Sequence, residues 1–124
     1  MSDVADFDGS WSARAEAADV WLLAETVHSG DGATVAVRGE LDMASAPALA
    51  SRLRELTTLP IGSLTLNMAG IAFMDSSGLR VLNECRSEAE AGGMPFSLED
   101  VPPVVQRILD VTGMAELFRW TPPA

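Results

Sequence analysis

Two short stretches of this 124-residue chain bring together side chains able to bind or carry charge: Gly39-Glu40-Leu41-Asp42 and Phe73-Met74-Asp75-Ser76-Ser77-Gly78-Leu79. Their aspartates, Asp42 and Asp75, stand thirty-three positions apart. In the second stretch an acid, two hydroxyls and a glycine precede Leu79, Leu82, Cys85 and Ala89, whose spacing predicts a helix that stops at Gly92-Gly93. The serines therefore fall at a helix N-terminus, where unpaired backbone N–H groups and partial positive charge suit a phosphate carried by a serine. Asp and Ser are also the ordinary capping residues of helices. Physical chemistry alone does not choose between Ser76 and Ser77.

A nucleophilic triad is the competing chemistry, with Ser76 as nucleophile, His28 as base and Asp42 or Asp75 as orienter. His28 is the only histidine, and it falls in a turn at the far end of a predicted strand from Ser76, roughly 20 Å away at ~3.3 Å per residue. Hydrogen-bond reach is much shorter. There is no Gly-x-Ser-x-Gly elbow, phosphate-binding loop or metal-ligand cluster, so neither an enzyme nor a cofactor is expected. The single cysteine, Cys85, lies on the apolar stripe and reads as core, as do Met43, Met68, Met74, Met94 and Met114 in core or rim. Glu40 and Asp42 have the bland alternative of being solvated loop acids.

The elements that must position these motifs follow from periodicity. Val20–Val27 reads as a strand, His28-Ser29-Gly30-Asp31-Gly32 as a reversal, and Thr34–Gly39 as a second strand with Val35 and Val37 on one face. Ser45 caps a predicted helix with Pro47 in its first turn and Ala46, Leu49, Leu53 and Leu56 on one stripe. Ser63–Met68 alternates as a strand, the helix opened by the serines follows, and Met94–Leu98 makes a short strand. Asp100 is placed as the cap of a third helix through Pro102 and Pro103, with Val105, Ile108, Leu109 and Thr112 facing inward, and Leu117–Thr121 as a last strand. The order ββαβαβαβ implies a small α/β domain with a mixed, mostly parallel sheet covered by helices. Loops at the carboxyl ends of parallel strands share one edge, which brings the two motifs together.

Residues 1–19 show no sustained period and are expected to be a flexible tail, with 20–124 as the domain. The net charge of -10 argues against nucleic-acid or anionic-membrane partners, which reward clustered Lys and Arg. No apolar run approaches the roughly 20 residues of a membrane span, and the acidic start lacks a signal-peptide pattern. A cytoplasmic protein is expected.

On both motifs, at their strand-to-helix junctions, the chain resembles the STAS domain family of anti-sigma factor antagonists; Gly92-Gly93, Thr112-Gly113-Met114 and Leu117-Phe118 share the resemblance, which covers roughly Val20 to Trp120. Asn67 stands where many relatives carry an aspartate. The resemblance implies a protein that, unphosphorylated, binds an anti-sigma factor with serine kinase activity, the ATP being held by that partner, and so frees the sigma factor. It implies that the modified residue is Ser76, that Asp42 lies at the partner surface with Glu40, Asp75, Ser77 and Gly78 around it, and that a serine phosphatase resets the switch. The alternative role is a STAS module in a stress-signalling scaffold or in the accessory subunit of a membrane transporter. A phosphate adds roughly -1.5 to -2 charge. Two unit charges ~6 Å apart at an effective dielectric of ~20 repel by about 3 kcal/mol, against at most about 2 kcal/mol returned by the helix terminus, so a partner fitted to the bare edge rejects the phosphorylated one.

Overall fold

Alternating apolar residues put one side of every central strand into the core. The computed structural model describes residues 10–14 and 21–120. It contains β1 (Ser10–Arg14), β2 (Trp21–Ser29), β3 (Gly32–Leu41), α1 (Ala46–Thr57), β4 (Ser63–Met74), α2 (Ser76–Ala91), β5 (Phe96–Glu99), α3 (Pro103–Val111), a short 3-10 turn (Ala115–Leu117) and β6 (Arg119–Trp120). The strands form one six-stranded sheet in chain order: β1 to β3 pair antiparallel, and β3 to β6 pair parallel. The expected α/β order is therefore present, preceded by one further strand.

Leu22 and Ala24, Val35 and Val37, Leu64 and Leu66, and Phe96 and Leu98 all point to one face of the sheet and are buried. They share a single core with Leu49, Leu53 and Leu56 of α1, Leu79, Leu82, Cys85 and Ala89 of α2, and Val105 and Leu109 of α3. The helices thus cover one face. The other face carries exposed Glu25, Ala36, Arg38 and Ala69. Burial pushes the Cys85 thiol from 9.0 up to about 12, with repulsion from Glu88 adding to the shift, so it behaves as a small core residue.

Four expectations are corrected. Ser10–Arg14, placed in a tail, pairs with β2, Trp11 opposite Ala24; edge pairing is a backbone interaction and leaves no apolar period to read. The rest of that stretch, residues 1–9 and 15–19, lies outside the described residues. β4 runs six residues beyond Met68, because its register against β3 shifts twice, between Ala36/Arg38 and Gly39/Glu40. Each shift adds one residue on β4, so the inward positions move from Met68 to Ile71 and then Met74 and the alternation breaks. Leu117 belongs to the 3-10 turn, leaving only Arg119–Trp120 paired with β5, and Thr121 lies outside the described residues.

Asp100 is not a helix cap, the fourth correction. Pro102 holds that position, and Asp100 sits at φ 53, a left-handed conformation that Asp tolerates better than most residues. Its Oδ2 accepts from Asn67 Nδ2 at 2.9 Å, while the same amide donates to Glu99 Oε1 at 3.0 Å. Asn67 Oδ1 in turn accepts from the Ala69 N–H at 3.0 Å. An aspartate at position 67 has no donor for two facing carboxylates, which accounts for the amide here. Asn67→Asp is therefore expected to lower stability by roughly 1–2 kcal/mol in urea titrations, more than Asn67→Ala, which removes the donor without adding charge. Equal stability of Asp and wild type contradicts the clamp.

Candidate functional site

The first motif closes β3 with a turn that its own side chains brace. Gly39 has φ 116, a backbone state closed to most L residues, at the point where the β3–β4 register shifts. Beyond it Leu41 is fully buried and Glu40 is exposed. Asp42 is half-buried: its Oδ1 accepts from the N–H groups of Ala44 at 3.0 Å and Ser45 at 3.2 Å. Ser45 occupies the N-cap position of α1 but does not cap it with its side chain. Its Oγ instead donates to the Glu40 carbonyl at 2.6 Å and accepts from the Asp42 N–H at 3.1 Å. Asp42 is thus a brace of the loop as well as an acid on its surface, not a freely solvated side chain.

The second motif starts α2. Asp75, in extended conformation, is the N-cap, and its Oδ1 accepts from the N–H of Ser77 at 2.8 Å and of Gly78 at 3.4 Å. Ser76 is the first helical residue and is exposed, whereas Ser77 is half-buried. Gly78 is buried, and a Cβ there would lie 2.6 Å from Met74 Cγ and 2.7 Å from Leu41 Cγ. Its hydrogen side chain is what lets the helix start rest on the ends of β3 and β4. The Asp75 N–H donates to the Leu41 carbonyl at 3.2 Å, so backbone and packing both tie one motif to the other.

The shared edge anticipated from strand order is therefore formed, with Glu40, Asp42, Asp75 and Ser76 along it. Gly78 lies beneath it and contributes by packing. One physical expectation changes: the helix N–H groups offered to a phosphate are taken at Ser77 and Gly78 by the Asp75 carboxylate. His28 sits at the other end of β3, opposite Ala33, about 30 Å from Asp42 along the strand at ~3.3 Å per residue. His28 is therefore not brought to Ser76, Asp42 or Asp75. Among the described residues no group of three or more His, Cys, Asp or Glu is placed to hold a metal ion, and no helix is long and apolar enough to cross a membrane.

Two neighbours of the edge were missed. Met43 is 76% exposed and Phe73 is 45% exposed. Met43 reads from composition as filler, but it lies in the braced turn, outside any strand or helix face; Phe73 is turned outward by the second register shift.

The sequence model of the STAS domain matches residues 24–123. The chain belongs to the STAS domain family. Among solved structures, this STAS domain is similar to an anti-sigma factor antagonist from Mycobacterium paratuberculosis, with TM-score 0.75 and 23% identity over 82% of this chain and 86% of that one. It is similar also to the anti-sigma factor antagonist SpoIIAA in its unphosphorylated form, with TM-score 0.68 and 18% identity over 79% and 87%. A variant of RsbS from Moorella thermoacetica matches with TM-score 0.69 and 23% identity over 82% and 87%. At these identities the likeness is one of fold.

The packing of the STAS domain's helix start is open to direct test. Gly78→Ala overpacks the contact with Leu41 and Met74 and is expected to cost roughly 1–3 kcal/mol, a fall in Tm of several degrees. Ser76→Ala, at an exposed position that does not cap the helix, is expected to stay within about 0.5 kcal/mol of wild type. A Gly78→Ala variant melting with the wild type contradicts the close approach.

Proposed function

We propose that this STAS domain is an anti-sigma factor antagonist: bare, it binds an anti-sigma factor with serine kinase activity and releases the sigma factor, and phosphorylation of Ser76 by that partner switches the binding off. A serine phosphatase restores the bare form. The observation that carries the reading is the position of Ser76, an exposed hydroxyl on the first residue of α2, directly after the capping Asp75 and on the edge that also holds Asp42. Ser77, half-buried and with its N–H held by Asp75, is the poorer substrate of the two.

The burial pattern and the cap support an electrostatic switch that leaves the fold alone. Asp75 already uses the N–H groups of Ser77 and Gly78, so the roughly -1.5 to -2 charge of a phosphate on Ser76 arrives with little local compensation. It adds to Glu40, Asp42 and Asp75 on a chain whose net charge is -10. A partner surface fitted to a neutral hydroxyl at Ser76 would have to take up the added charge out of water with no counter-charge placed for it, and burying an uncompensated charge is costly.

Incubation with a cognate anti-sigma factor kinase and ATP is expected to place one phosphate on the chain, mapped by mass spectrometry to Ser76. Ser76→Ala abolishes the modification and binds the kinase like wild type. Ser76→Asp binds more weakly, having one added charge, and phosphoserine weakest of all. A phosphate on Ser77, or a phosphorylated chain that binds as tightly as the bare one, sinks the reading.

A further inference from the structure

The motif edge combines the acids with two exposed apolar side chains. Met43 follows Asp42 directly, and Phe73 stands opposite Glu40 in the β3–β4 register, two residues before Asp75. The backbone at both positions is fixed. Met43 follows Asp42 in a turn held by the bonds of Asp42 and Ser45, and Phe73 directly precedes buried Met74, so by strand alternation it does not turn inward while Met74 stays buried. A backbone already ordered loses little further freedom on docking.

We propose that Met43 and Phe73 are the apolar anchors by which this edge binds its partner, and that the partner offers them an apolar pocket rimmed by Lys or Arg. This rests on the reading of Ser76 as the switch of a protein-binding edge. The rim follows from charge: Glu40, Asp42 and Asp75 surround the anchors, so a basic border complements them. The same acids disfavour other occupants. A second copy brings identical carboxylates face to face, and an anionic lipid surface repels them. Large apolar side chains at the centre of an interface carry most of its affinity, while rim charges set rate and salt dependence. Affinity and switching are thereby divided: Met43 and Phe73 supply binding, and the phosphate on Ser76 carries charge into the water-excluded zone that they create.

The test titrates purified anti-sigma factor kinases from the source organism into the full chain by calorimetry. Phe73→Ala and Met43→Ala are each expected to weaken binding by about 10- to 100-fold while keeping the wild-type salt dependence; Phe73→Leu and Met43→Leu recover most of it. Asp42→Asn instead flattens the salt dependence. Val27→Ser and Val111→Ser, which remove exposed apolar groups away from the edge, bind as wild type, and circular dichroism checks that every variant folds. If phosphorylation of Ser76 abolishes binding but both alanine variants bind as wild type, the anchors are refuted and the switch stands. If the bare wild-type chain binds none of the kinases, the switch falls and the anchors with it. Self-association of the bare chain by sedimentation, lost in Phe73→Ala while kinase binding persists, assigns the apolar pair to a second copy and overturns the proposal.

Discussion

The contact of Gly78 with Leu41 and Met74 is the constraint from which the functional edge follows. A helix start normally stands off from a sheet by the length of a side chain. Here glycine removes that spacing, and the Asp75 N–H reaches the Leu41 carbonyl at the end of the neighbouring strand. With α2 seated this low, its capping aspartate, its first exposed serine and the loop after β3 occupy one surface. Leu41, fully buried, is both the floor for Gly78 and the residue from which the Asp42 turn departs, so packing in the core fixes the geometry of the surface.

Electrostatics and packing then separate. The acids are held by short local bonds: Asp42 to the N–H groups of its own turn, Asp75 to those of its own helix. Added charge at Ser76 consequently has nothing to rearrange in the core beneath it. On the proposed reading, phosphorylation would alter the surface potential of the module while keeping its shape, in contrast to switches that order or melt a segment. Away from the edge, Asn67 follows the same economy, its amide donating to Glu99 and Asp100 where a third carboxylate would leave both without that donor.

Much of this was legible in the sequence wherever one physical signal dominated. Burial of one sheet face made Val35, Val37, Leu64 and Leu66 readable, the stripe of α1 gave its buried residues one by one, and that of α2 gave Leu79, Leu82, Cys85 and Ala89 but not Val81. The start of α2 was legible because Asp75-Ser76-Ser77 places capping residues ahead of an apolar stripe, while the part given to Ser76 came from the family resemblance. The second half of β4 was not, since two register shifts each reverse the alternation on which a strand reading depends. β1 escaped because strand pairing by backbone hydrogen bonds needs no pattern of side chains, and Asp100 because an Asp two residues ahead of Pro102 suits both a cap and a left-handed turn. Exposure of Met43 and Phe73 arises from the braced turn and from the second shift, tertiary features that composition does not carry.

The central claim, that modification changes charge on a rigid edge without refolding the domain, is tested most directly by amide chemical-shift mapping of the 15N-labelled chain before and after phosphorylation. The account predicts large shifts confined to Glu40–Ser45 and Phe73–Leu79, with amides of Leu64–Leu66 and Val105–Leu109 unmoved and their hydrogen exchange unchanged. Shifts spread through the core, or loss of exchange protection across α2, would contradict it.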